Sequence, residues 1–408
     1  MTTYAPHDPH FKKTVALRLA GRLLELEVAQ ELFSSHEVDA GTRLLLRTLA
    51  TEEHRALRRV LDLGCGYGPV GLGLKALRPD REVHMVDRDA LAVEFSRHNA
   101  ARNGFADVRA YGSLGYGDVR GAGFDLVACN LPAKAGTPVI ERLLLGAGER
   151  LRPGGLVAVV VVARLEATVA GMLEDPGVRV VHRRRTGSYA VFHYHLAAGR
   201  RDRERPPGQG SPYDRGTVRL AFGEVTAGTR TAYGLPEFDS LGYASQLVAE
   251  ALLRQRGRPA RAALAFNPGQ GHLPALLWRA LRPGGIRVVD RDLLALRFTQ
   301  ANLVGNGCPA ERIALHHRAG LAGAGEGEGP VDLAVGVLRA KQPPGVAAEA
   351  VRQLAGALAP GGRLLLGASS TAVTRCLDAL AAGGARPQLV ERRRRKGFSA
   401  VVLERPPA

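Results

Sequence analysis

Aromatic residues make up only 5% of this 408-residue chain, with a single tryptophan. Stacking platforms in which aromatics interleave with arginines are therefore not a feature of the sequence. Cysteine is rarer still: Cys65, Cys129, Cys308 and Cys376 stand far apart, in neither metal-ligand nor disulfide spacing. No stretch runs to the roughly 20 apolar residues that a membrane-spanning helix requires. Residues 1–33 lack a secretory apolar core and cleavage site, so a cytoplasmic location is expected. Acidic residues are outnumbered, 39 against 56 Lys and Arg, which leaves a net charge of +17. That balance favours a polyanionic partner, RNA first. Composition bias, with Arg as the default surface cation, is the alternative reading.

Glycine is what the chain has in quantity, 50 residues, and its densest use is Asp62-Leu63-Gly64-Cys65-Gly66-Tyr67-Gly68. Arg59 to Leu63 reads as a short buried strand, Val70 to Leu77 as a helix, and Val83 to Val86 as a second strand ending in Asp87. Glycines adopt positive φ and let a ligand approach the backbone. The helix N-terminus beyond them offers unpaired N–H groups, and a carboxylate at the second strand's end suits a ribose diol. This is a nucleoside-cofactor site at the carboxyl ends of parallel strands. Gly66-x-Gly68-x-x-Gly71 also fits a dinucleotide pattern. The longer form, Asp62-x-Gly64-x-Gly66-x-Gly68, instead resembles motif I of class I S-adenosylmethionine-dependent methyltransferases. That resemblance implies S-adenosylmethionine held by Asp62, Gly64, Cys65, Gly66 and Gly68 at its methionine end, and by Asp87 and Arg88 at the ribose.

Taken in order, Thr14 to Leu26 alternates and turns at Gly21, as a β-hairpin does. Helical spacing follows at Arg43–Leu49 and Leu91–Asn103. Phe124 to Cys129 is a strand running into Asn130-Leu131-Pro132-Ala133. Pro153-Gly154-Gly155 reads as a turn before the apolar strand Leu156–Val162, and Val178–Arg183 with Ser188–Leu196 closes the unit as a hairpin. Strands alternating with helices imply a mostly parallel α/β sheet. Residues 198–216, charged and rich in Pro and Gly, read as a linker.

After the linker the pattern begins again. With a shift of 203, Val86–Gly104 falls on Val289–Gly307 with ten of nineteen residues identical, where chance gives about one or two. The identities include Asp87/Asp290, Asn99/Asn302 and Asn103/Asn306. With small insertions, Pro153-Gly154-Gly155 falls on Pro360-Gly361-Gly362 and Gly187 on Gly397. The expected organisation is therefore an active domain at 1–197, the linker, and a degenerate duplicate at 217–408. Degeneracy shows where Asp62-Leu63-Gly64-Cys65 becomes Ala265-Phe266-Asn267-Pro268. Likewise Asn130-Leu131-Pro132-Ala133-Lys134 becomes Val337-Leu338-Arg339-Ala340-Lys341.

The hairpin, Ser34-x-x-x-Val38-Asp39-x-Gly41-Thr42 and Asn130-x-Pro132-x-Lys134-Ala135-Gly136 together resemble the methyltransferase small domain family. The nearest members in pattern are tandem-domain bacterial ribosomal RNA guanine-N2 methyltransferases. The resemblance implies two Rossmann-like domains and methyl transfer to an RNA amine. It gives Asn130 and Pro132 the acceptor and Thr42 the cofactor's carboxylate, with a helix N-cap as the other reading of Thr42. Leu131 and Ala133 depart from the usual Asn-Pro-Pro-aromatic form, which leaves Tyr67 or Phe33 to supply an aromatic. In those tandem enzymes the active copy is the second, whereas here it is the first. Methylation of a small molecule or protein, or binding without turnover, are the rival functions. His193 and His195 read as surface residues. The basic runs Arg183–Arg185 and Arg392–Lys396 suit a phosphate-tracking strand edge or a protected one.

Overall fold

Short apolar runs joined by helical crossovers become parallel strands in this protein, because each crossover helix buries one face against the sheet. The structure, a computed structural model, describes residues 9–54, 56–197, 205–321, 329–340, 342–382 and 387–407. The chain splits into two compact units, Met1–Pro206 with Ser211–Tyr213, and Pro207–Gly210 with Asp214–Ala408.

The first unit opens with a separate hairpin, β1 (Phe11–Leu19) and β2 (Arg22–Ala29). Its two-residue turn has positive φ at both Ala20 and Gly21, the geometry that matches strand twist. Then come α1 (Ala40–Leu49), β3 (Arg59–Leu63), α2 (Pro69–Leu77), β4 (Glu82–Asp87), α3 (Ala90–Arg102) and β5 (Arg109–Gly112). They are followed by β6 (Phe124–Asn130), α4 (Thr137–Leu145), β7 (Leu151–Val162), α5 (Glu166–Met172), β8 (Val178–Arg185) and β9 (Tyr189–Leu196). The sheet order is β5-β4-β3-β6-β7-β9-β8, parallel except for β9 and β8. Val60, Leu61, Val83 and Met85 are fully buried in its centre.

Pro153-Gly154-Gly155 is not a turn ahead of β7 but an excursion within it. Phe124 pairs with Leu151 and Leu126 with Leu156, so four residues of β7, 152–155, stand against Asp125 alone in β6. Gly154, at φ +73°, takes up the bend.

The second unit repeats the plan. It contains β10 (Asp214–Phe222), β11 (Val225–Ala232), α6 (Tyr243–Leu253), β12 (Ala262–Phe266), α7 (His272–Leu281), β13 (Gly285–Asp290) and α8 (Leu293–Gly305). It ends with β14 (Ile313–His317), β15 (Val331–Val337), α9 (Pro344–Gly356), β16 (Leu358–Ser369), α10 (Ser370–Ala382), β17 (Gln388–Arg395) and β18 (Phe398–Glu404). Its sheet, β14-β13-β12-β15-β16-β18-β17, has the same order as the first. Residues 198–204 of the expected linker and Lys341 lie outside the described residues. Gly397 takes the place of Ser188 rather than Gly187. The Ser188 carbonyl accepts from Ala163 N–H just as the Gly397 carbonyl accepts from Ser370 N–H, each at 2.8 Å.

The identical asparagines explain themselves as fasteners. Asn99 donates to the carbonyls of Glu27 and Tyr67 and accepts from Glu27 N–H, tying the hairpin to the glycine loop. Asn302 does the same with Arg230 and Gln270.

Candidate active site

The glycine loop leaves β3 with Gly64, Gly66 and Gly68 at φ +75°, +57° and +94°, values that favour glycine sterically. Gly64 and Cys65 N–H both donate to Val86 O, which fastens the loop to the end of β4. A Cβ on Gly64 or Gly66 would meet nothing within 4 Å, so the loop faces open space that side chains would fill. Cys65 itself is buried, its thiol 3.4 Å from Ser96 Oγ, and burial pushes its pKa up.

Asp62 is 1% exposed, and its Oδ2 accepts from Gly71 N–H at 2.7 Å. It therefore clamps the first turn of α2 onto β3, and burial pushes its pKa up to about 7. Gly71 is required there, since a Cβ would lie 2.7 Å from Met85 Cγ and 3.1 Å from the Asp62 carboxylate. Asp87 accepts from Gly66 N–H through Oδ2 and from Asp89 N–H through Oδ1, both at 2.9 Å. Burial, then the charge of Asp89, raises its pKa to about 6. Arg88 is half-buried beside it.

Asp62 pairs with Ala128 across β3 and β6, so Gly64 and Asn130 lie two residues beyond the same rung. Asn130 Nδ2 donates to Asp39 Oδ2 and Thr42 Oγ1, each at 3.0 Å. Asp39 is the N-cap of α1, accepting from Thr42 N–H at 3.0 Å, and Tyr189 Oη donates to its other oxygen at 2.7 Å. That bond, with burial second, pushes the Tyr189 phenol up to about 12. The cap is thus Asp39, and the buried Thr42 hydroxyl serves Asn130. Leu131 is buried, its N–H donating to Val160 O at 2.9 Å, while Pro132 is exposed. The loop is pinned at Leu131.

The structure brings Asp62, Gly64, Cys65, Gly66, Gly68, Asp87 and Arg88 together around the loop, and joins Thr42 to Asn130. Of the two aromatics expected to serve the site, Tyr67 is buried and aims its hydroxyl at the Ser34 and Glu37 carbonyls. Phe33 is 72% exposed. Asp39 and Tyr189 were not singled out as site residues. Asp39 stood inside a quoted motif, but only the fold shows what it touches. His193 corrects an expectation: it is buried, bonded to Thr48, and packed against His54 and His182. Burial, then those two imidazoles, lowers its pKa to about 3. Among the described residues no cluster is arranged to hold a metal ion.

In the second unit the corresponding space is closed from within. Arg339, in the place of Pro132, pairs with Asp290 Oδ1 and donates from Nε to Asn267 Oδ1 at 3.2 Å. Asn267 occupies the first glycine's place at φ +45°.

The methyltransferase small domain model matches residues 24–193. An uncharacterized protein of Bacillus subtilis (strain 168), YbxB, is 36% identical over 151 residues, 37% of this chain and 74% of that one. Ribosomal RNA small subunit methyltransferase C of Actinobacillus pleuropneumoniae is 37% identical over 132 residues, 31% of this chain. The match spans only 39% of that enzyme's length. Among solved structures, the T. thermophilus 16S rRNA N2 methyltransferase in complex with AdoMet and guanosine has a TM-score of 0.65. That likeness covers 96% of this chain and 98% of that one at 21% identity, and so concerns the fold. On the Bacillus match and the segment 24–193, the chain belongs to the methyltransferase small domain family, whose cofactor is S-adenosylmethionine.

Proposed function

We propose that this protein transfers the methyl group of S-adenosylmethionine to the exocyclic amine of a guanine in ribosomal RNA. The first unit carries the site, and residues 217–408 serve RNA binding or stability as a degenerate copy. Bound at the glycine loop, the cofactor supplies a methyl on a sulfonium, already a good leaving group. The chain's own task is then mainly positioning. Asp87 keeps a second lone pair on each carboxylate oxygen for the ribose diol, with Arg88 beside it. Gly64, Cys65, Gly66 and Gly68 shape the cradle, and Asp62 acts by clamping it. Asn130 accepts a hydrogen of the amine and turns the nitrogen lone pair toward the methyl group, Pro132 lying at the mouth.

The observation that carries this reading is the Asn130 amide, held by Asp39 and Thr42 one strand from the glycine loop. The relatives named for ribosomal RNA methylation support the substrate, and the net charge of +17 suits it. Mass spectrometry of ribosomal RNA nucleosides from a deletion strain tests it. One N2-methylguanosine should disappear, return with the wild-type gene, and stay absent with Asn130→Ala. Unchanged nucleosides in the deletion strain would rule the substrate out.

A further inference from the structure

Asparagine side chains present a donor and an acceptor of almost the same shape, so an amide used for positioning must be prevented from turning over. An ionised carboxylate offers acceptors only. Asp39 Oδ2 stands 3.0 Å from Asn130 Nδ2, and a flipped amide would set oxygen against oxygen at that distance. Thr42 Oγ1 takes the second Nδ2 hydrogen. The network therefore leaves only Oδ1 of Asn130 to face outward, and no described residue donates to it. Asp39 is itself held from three sides. Thr42 N–H and Asn130 Nδ2 reach one oxygen, and the Tyr189 hydroxyl reaches the other. The Tyr189 ring lies so close that a Cβ on Gly41 would be 2.6 Å from it, which explains the glycine after the cap.

The second unit supplies an internal comparison. Asp39 becomes Gly242 at the N-cap of α6, and Asn130 becomes Val337. Tyr189 becomes Phe398, since Tyr189 pairs with Val162 where Phe398 pairs with Ser369. Asp39, Asn130 and the Tyr189 hydroxyl are gone together, although the helix, the strand, the aromatic ring and a hydroxyl in the place of Thr42, that of Ser245, remain. In the second unit Glu237 takes over the support of the helix N-terminus, accepting from Gly242 N–H at 3.0 Å and from Ser245 Oγ at 2.9 Å, so what is lost there is the carboxylate bonded to the Asn130 position.

Resting on the methyl-transfer reading above, we infer that Asp39, held by Tyr189, is a positioning residue that fixes Asn130 with its carbonyl oxygen toward the acceptor. The acceptor atom must in consequence bring its own hydrogen, as an amine does. An acceptor that can only receive a hydrogen bond finds no partner at Asn130.

The test is an exchange of donor and acceptor. Asp39→Ser keeps a cap of equal quality for α1 but withdraws the carboxylate oxygen from Asn130, so the amide can turn over. With ribosomal RNA from the deletion strain as substrate, kcat should fall about tenfold or more. The KM for S-adenosylmethionine and the melting temperature should stay put. Asn130→Asp alone sets two carboxylates side by side and should be worse. Combining Asp39→Asn with Asn130→Asp restores one donor facing one carboxylate, and should recover kcat at least about tenfold over Asn130→Asp. An Asp39→Ser enzyme with wild-type kcat, or a double variant no better than Asn130→Asp, overturns the inference. If the wild-type enzyme methylates no RNA, the proposed substrate falls instead. The inference is still read by NMR, in which the Asn130 side-chain amide protons should exchange slowly in the wild type and fast in Asp39→Ser. Equal exchange in both overturns it.

Discussion

Asp87 shows how much one side chain is asked to do. Two backbone N–H groups already bind it, yet burial raises its pKa to about 6. Its ionised form is the one able to accept both ribose hydroxyls, each such charge-assisted bond contributing about 1.5–3 kcal/mol. Asp87→Ala should therefore weaken S-adenosylmethionine binding at least about tenfold, measured by calorimetry. In the wild type, affinity should hold above pH 6 and decline as the pH falls through that value, because protonation turns one acceptor into a donor. A pH-independent affinity between pH 5 and 8 would count against Asp87 as the ribose acceptor. Asp87 was legible in the sequence because it closes a strand at a set distance from the glycines. Asp39 and Tyr189 were not: Asp39 lies 91 residues from Asn130, and Tyr189 lies 150 residues from Asp39. Only the closing of β9 beside β7 and of α1 against the sheet brings them together.

The legible elements were those whose apolar spacing was complete, as in α2, α3, β3, β4 and both hairpins. β5 has four residues and α5 seven, too short for a period to emerge. α4 begins with Thr137-Pro138 straight after Gly136, punctuation that reads as loop until the helix is seen. The acceptor loop departs furthest from expectation. Restoring the proline pattern at Leu131 looks harmless in sequence terms, but the Leu131 N–H is committed to Val160 O. Leu131→Pro leaves that carbonyl without its donor and removes a buried side chain, so stability should fall by about 1–3 kcal/mol, visible in a denaturant melt. Activity should fall with it rather than rise. Full stability with raised activity would show that the strand end rearranges freely and that the pinning seen at Leu131 is incidental.

At the scale of the whole molecule, one fold is used twice and kept for different reasons. Asn99 and Asn302 make matching bonds, and the two sheets share one strand order. What the frame holds has diverged, and Arg339 with Asp290 is the clearest case. Asp290 is 2% exposed, and burial raises its pKa while the Arg339 charge lowers it. The guanidinium thus meets a carboxylate whose counterpart in the first unit, Asp87, accepts from two backbone N–H groups. Removing one partner of such a pair strands the other, a loss of about 3–5 kcal/mol when both are buried. The Arg339 side chain is 31% exposed, so solvent screening should reduce that to about 1–2 kcal/mol. Arg339→Ala should lower the melting temperature, and more at pH 8 than at pH 4. Above the ordinary carboxylate pKa the unfolded chain is ionised, whereas the stranded Asp290 resists ionisation in the fold. Adding Asp290→Asn removes the stranded charge and should restore most of the loss at pH 8. S-adenosylmethionine stoichiometry should stay at one per chain throughout, since Ala265 and Pro268 still withhold the clamp and an N–H. A second binding event in Arg339→Ala would mean instead that Arg339 alone keeps the second site closed, and that the duplicate is latent rather than degenerate.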